Sequence, residues 1–188
     1  MSAAVEELGE AELAARVRSE PDLFTVVYDR YHRDIYQYVA GRLDVHAGED
    51  VTAEVFLTAF ARRHRFDPER GTLRPWLFGI ATNLVARHRR TEARHYRALT
   101  AAPELPAGGH EDRVVTSVAA QHMQPKLAAA LRRLSRGERD VVLLLALAQL
   151  THQEIAQALG ISYGTVGSRL SRARKKLTDA LDREALHG

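Results

Sequence analysis

Apolar side chains recur along this 188-residue chain at spacings of three and four, the interval at which side chains share one face of a helix. Phe24, Val27, Tyr28, Tyr31, Ile35, Tyr38 and Val39 form one such stripe, with Ser19 and Pro21 as start signals and Gly41 near its end. Val51, Val55, Thr58 and Ala59 mark a second helix. A turn follows at Phe66 to Gly71, and a third helix begins near Pro75, a favoured first-turn residue, with Trp76, Leu77, Ile80, Leu84 and Val85 on its buried face. No segment alternates at period two for long enough to form a strand. The expected fold is all-α.

The pattern lapses between Leu99 and His110, where two prolines and two glycines interrupt it and the chain reads as a linker. A short helix is expected over 112–123. Two hydroxyl-to-glutamate pairs, Ser135 with Glu138 and Thr151 with Glu154, match the capping box, in which side chain and backbone satisfy each other's free donors. They start helices at about 136–149 and 152–159. Gly160 suits a left-handed turn, and Ser162 can cap a helix from Tyr163 to about Leu181. Short helix, glycine turn and longer helix make the layout of a helix-turn-helix. The division expected is an N-terminal arm at 1–21, a helical domain at 22–97, a flexible linker at 98–125 and a second helical domain at 126–188.

Composition narrows the classes. Apolar residues make up 45% and charged residues 27%, which argues against wholesale disorder. Cysteine is absent, so no disulfide framework or thiolate chemistry is available. The longest near-continuous apolar run, Val141 to Leu150, is about half of what a bilayer requires. The acidic N-terminus carries no signal-like apolar stretch. A soluble cytoplasmic chain without membrane insertion is expected. The nine histidines are scattered, and no phosphate-cradling loop or nucleophile elbow occurs. No metal, no cofactor and no enzymatic activity are expected.

Charge is mild in sum, +3, but uneven in place: residues 87–97 carry +4 and residues 169–176 carry +5, leaving the remainder acidic. Two basic runs, each closing an apolar-periodic helix, point to contacts with phosphates. On the last helix Val166, Leu170, Ala173 and Leu177 share a buried face. The opposite face carries Gly164, Ser168, Ser171, Arg172 and Lys175, with Arg169, Arg174 and Lys176 beside it. Such a face enters the major groove with its N-terminal residues foremost. A solvated helical hairpin is the bland alternative.

The stretch Glu154 to Leu177, and within it Gly164-Thr165-Val166-Gly167-Ser168-Arg169 through Arg174, resembles region 4 of bacterial sigma factors of the extracytoplasmic-function type. The resemblance implies that Gly164, Thr165, Gly167, Ser168, Arg169, Ser171, Arg172 and Lys175 face the minus-thirty-five promoter element. Gly167 and Ser171 cannot form the bidentate contact to guanine that discriminates bases strongly, so readout there leans on backbone contacts and DNA shape. Gly48 to Leu57 is similar to region 2.2 of the same family, and Trp76 to Leu84 with the arginines after it to regions 2.3 and 2.4.

These resemblances assign an acidic face of Asp44, Glu49, Asp50 and Glu54, with Ala53 where the family usually has Gln, to RNA polymerase core, its β′ clamp and β subunits. They place Phe66, Ile80 and Asn83 around a flipped base of the minus-ten strand and Arg87, Arg89 and Arg90 on its phosphates. Trp76 and Phe78 are expected in the core. The linker, with Glu104, Glu111 and Asp112, is implied to run near the polymerase cleft, and an anti-sigma factor is a possible partner. The reading is a sigma factor that directs core polymerase to promoters and helps open them. A free-standing helix-turn-helix regulator and a protein-binding adaptor remain as other readings.

Overall fold

The computed structural model describes residues 8–100 and 125–185, all helix, turn or loop, with no strand among them. The expected helix at 112–123 and most of the linker lie outside the described residues. The order is α1 (Glu10–Arg16), a 3-10 turn (Pro21–Leu23), α2 (Phe24–Ala40), α3 (Val45–Arg62), α4 (Leu73–Thr100), α5 (Pro125–Arg132), α6 (Arg136–Ala146), α7 (His152–Leu159) and α8 (Tyr163–Ala185).

Local chemistry sets the boundaries. Asp44, expected as part of an acidic patch, instead caps α3 by accepting from the Ala47 amide at 2.8 Å, which satisfies one of the free donors at a helix start. Both capping boxes form as the sequence predicts, and Ser162 caps α8 through the Thr165 amide at 3.1 Å. Gly160 ends α7 with φ of 62°, a conformation that costs glycine little. Three boundaries differ from expectation. Helix α4 starts two residues before Pro75, since a proline in the first turn interrupts no internal bond. Helix α6 stops at Ala146 rather than 149, because Gln149 adopts φ of 51°. Within the expected arm, Glu10–Arg16 form α1, and Leu13, Ala14 and the C-cap Val17 are buried completely or nearly so.

One hydrophobic cluster runs through α1 to α4 and on into α6, α7 and α8. Helices α2, α3 and α4 pack through Val27, Ile35, Val55, Leu77 and Val85, while α6, α7 and α8 pack through Leu144, Ile155, Val166 and Ala173. The seam joining the two groups is close. Helix α7 crosses α4 so tightly that a Cβ on Gly79 would lie 2.5 Å from the Ala158 carbonyl oxygen. Arg74 of α4 donates to the Ala148 carbonyl at 2.6 Å.

Gly79→Val places two methyl groups against that carbonyl. It is expected to destabilise the chain by about 1–3 kcal/mol in urea denaturation, the usual cost of overpacking. Unchanged stability would show that α7 does not rest on α4 in solution.

Candidate polymerase and promoter interfaces

The acidic face lies on α3. Glu49, Asp50 and Ala53 are exposed, and half-buried Glu54 is engaged by Arg87 of α4 in an ion pair. Beside them, α2 and α3 open a cavity of about 750 Å³ lined by Phe24, Tyr28, Tyr36, Phe56, Leu57 and Phe60, with Glu49 and Ala53 at its edge. Tyr28 stacks edge-on to Phe56 at 4.8 Å, and Phe24 meets Phe60 at 5.2 Å. Leu57 is 70% exposed. Tyr28 belongs to the apolar stripe of α2, yet it is exposed here, as are Leu57 and Phe60, which the acidic face of the sequence did not include. Their spacing from Ala53 and Phe56 along one helix was the available signal.

The residues expected around a flipped base divide. Asn83 is exposed on α4, whereas Phe66 and Ile80 are only 4% and 8% exposed. Phe66 packs on Trp76 at 5.1 Å, and the loop that carries it faces Gln153, Gln157 and Ile161 across a cavity of about 560 Å³. Phe78 is buried as expected, and Trp76 is half-buried at that cavity. The three arginines also part company. Arg90 is exposed and Arg87 is held by Glu54. Arg89 turns into the seam and donates to the Arg42 carbonyl at 2.5 Å. In this arrangement Phe66 packs against Trp76, Ile80 is buried in the core cluster and Arg89 is engaged in the seam.

On α8, Gly164, Ser168, Ser171, Arg172 and Lys175 are exposed and Thr165, Gly167 and Arg169 half-buried, while Val166 and Ala173 are fully buried. The basic face is tethered to α6. Lys176 donates to Glu138 at 2.7 Å, Arg172 approaches the same carboxylate at 3.7 Å, and the Arg169 guanidinium lies over Gly137. Burial alone would raise the Glu138 pKa, but the bonds from Lys176 and Ser135 hold it below the ordinary carboxylate range.

The seam holds a buried ion pair: Arg42, at the end of α2, donates to Asp140 of α6 at 2.5 Å. Arg42 also donates to the Tyr38 hydroxyl; that hydroxyl meets Thr82 at 2.8 Å, and Thr82 donates to the Phe78 carbonyl at 2.8 Å. Burial works against the Arg42 charge, yet Tyr38 and Asp140 more than offset it. No group of acids and histidines able to hold a metal occurs among the described residues, and none of their helices is long and apolar enough to cross a membrane.

An acidic and aromatic helical face and a basic helix-turn-helix on one chain define a class of transcription initiation factor. Residues 27–95 match the model of sigma-70 region 2, and residues 125–177 that of sigma-70 region 4. The chain is 31% identical to the ECF RNA polymerase sigma factor SigW of Bacillus subtilis over 87% of this chain and 91% of SigW. It is 32% identical to the ECF RNA polymerase sigma factor BldN of Streptomyces coelicolor over 93% of this chain, and it spans 66% of BldN. The structure of CnrH in complex with the cytosolic domain of CnrY superposes with a TM-score of 0.66 at 25% identity, covering 93% of this chain and 97% of that one. The chain belongs to the extracytoplasmic-function sigma factors of the sigma-70 family. Two family regions in one chain favour this over a free-standing regulator or an adaptor.

Glu138→Gln keeps the capping box and removes the charge that Lys176 and Arg172 face. Because the folded pKa is depressed, the charge stabilises the fold above the unfolded value of about 4.3, and the effect is lost as pH falls through the lower folded value. The variant is expected to be about 1 kcal/mol less stable at pH 7, with the difference shrinking as pH falls below the unfolded value of about 4.3. A difference that does not shrink with acidification would contradict this assignment.

Proposed function

We propose that this chain works as a sigma factor whose roles divide along the seam. Residues 22–97 dock on core RNA polymerase and handle the minus-ten element; residues 126–188 hold the minus-thirty-five element, with 98–125 as the connection. Glu49, Asp50, Ala53 and Glu54 form the polar rim of the docking surface for the β′ clamp, and Tyr28, Phe56, Leu57 and Phe60 supply its apolar anchor. Exposed aromatic and aliphatic groups beside charge are the usual makeup of a binding hot spot. Asn83, Arg87 and Arg90 meet the minus-ten strand first. Gly164, Thr165, Gly167, Ser168, Arg169, Ser171, Arg172 and Lys175 present the minus-thirty-five face, with the β subunit behind this half. Catalysis belongs to the polymerase, and the site of action is the cytoplasm.

The observation that carries this reading is the exposure of both faces, acidic–aromatic and basic, on opposite halves of one chain. The closed seam adds a requirement. Two elements about 25 base pairs apart span about 85 Å of duplex at 3.4 Å per pair, whereas a folded chain of this length has a radius of gyration of about 16 Å. The halves must part for both elements to be held, and parting releases Arg89 from the seam. An inhibitory protein, such as an anti-sigma factor, would act by covering the groove or holding the seam shut.

Run-off transcription with core polymerase on a promoter library tests the reading: initiation above core alone is expected, and its absence would reject it. Asp50→Arg and Leu57→Asp should each weaken core binding at least about tenfold, with unchanged helix content by circular dichroism. Binding retained in both variants would count against the docking face.

A further inference from the structure

The front turns of α8 offer few free side chains to a base. Gly164 and Gly167 carry none. The Ser168 hydroxyl donates to the Thr165 carbonyl at 3.0 Å. The Thr165 hydroxyl pairs with that of Ser162 at 2.8 Å, and Ser162 also accepts from the Thr165 amide at 3.1 Å. Arg169 lies over Gly137 of α6. Ser171, the next exposed polar group on that face, stands about 12 Å further along the axis at 1.5 Å per residue. What remains at the tip is Tyr163, the first residue of α8, whose side chain is 63% exposed. Its ring rests beside that of His152, at the start of α7, with centroids 5.9 Å apart and planes at 51°.

The space around Tyr163 is bare. A Cβ on Gly164 or on Gly167 would meet nothing within 4 Å. Packing among the described residues therefore demands neither glycine, although glycine inside a helix is destabilising relative to alanine. Gly167 stands one turn after Tyr163 on the same face, so no side chain covers the ring from that side. A recognition helix enters the major groove with its N-terminal residues foremost, and thymine is the base that presents a methyl group there, a partner for an apolar surface. We propose that Tyr163 reads a thymine of the minus-thirty-five element through contact between its ring and the 5-methyl group. His152 is the positioning residue that holds the ring, and the two glycines give the clearance that lets a base pair approach. The inference rests on the placement of α8 on that element and adds direct readout to the front of a face otherwise suited to backbone and shape contacts.

The test uses holoenzyme assembled from the full chain and core polymerase to select duplexes from a randomised promoter library. The wild type is expected to enrich a thymine at one position of the minus-thirty-five element. Tyr163→Phe should keep that preference and Tyr163→Ala should lose it, both with unchanged helix content by circular dichroism. In the enriched duplex, deoxyuridine in place of that thymidine removes only the methyl group. It should weaken wild-type binding about fourfold, the worth of one buried methyl-sized group, and leave Tyr163→Ala binding unchanged. His152→Ala should lower the thymine preference and His152→Phe restore it. Arg172→Ala with Lys175→Ala should weaken binding at least about tenfold; if that pair changes nothing, α8 is not on the element and both readings fall. If the pair does weaken binding, three results leave α8 in place and overturn the role of Tyr163: an unaltered preference in Tyr163→Ala, a loss spread evenly over all sequences, as a phosphate contact would give, or deoxyuridine bound as well as thymidine by the wild type.

Discussion

Arg42 and Asp140 face each other where neither ion could remain alone. The guanidinium stands just past the end of α2, the carboxylate projects from α6, and both side chains are almost wholly buried. Removing one partner of such a pair leaves an unpaired buried charge, at a typical cost of about 3–5 kcal/mol. Separating the halves is a different operation, because both ions return to water together and the desolvation penalty is recovered. The pair therefore fixes how the halves dock, through the run from Arg42 to Tyr38, Thr82 and the Phe78 carbonyl, without making the docked state irreversible. That combination suits the proposed parting of the two halves on a promoter.

The same logic governs the charged surfaces meant for partners. Glu138 gathers Lys176 and Arg172, and Glu54 gathers Arg87. Three basic side chains expected near DNA are thus held by the chain's own acids. Arg87, Arg172 and Lys176 all keep substantial exposure, so solvent screens these pairs and they are cheap to exchange for phosphates. DNA that takes them leaves carboxylates able to hydrate, whereas Arg89 must first leave the seam. Asn83, Arg90 and the outer face of α8 stand open, whereas Phe66 and Ile80 are buried and Arg89 is engaged in the seam.

Most of the helical frame was legible because it is written in local chemistry. The two capping boxes, the left-handed Gly160 and the stripes through α2 and α4 each depend on residues within a few positions of one another. What escaped depends on distant neighbours. Nothing in residues 10–17 announces that Leu13 and Val17 lie in the core, since that burial is supplied by other helices. Arg89 reads as one more cation in a basic run until α6 arrives beside it. Tyr28 fits a buried stripe by spacing, yet it opens onto the aromatic groove because no element among the described residues covers that side. Periodicity tells which face is apolar, and only the assembled chain tells which apolar face is left for a partner.

The proposed function requires the separation of two halves that rest together in the free chain. The sequence has no cysteine, so a pair introduced by Arg33→Cys on α2 and Thr178→Cys on α8, both at exposed positions, can carry two spin labels for distance measurement by pulsed electron resonance. A single short distance is expected for the protein alone, lengthening by tens of ångströms in the complex with core polymerase and promoter DNA. A transcribing complex that keeps the short distance would contradict the account.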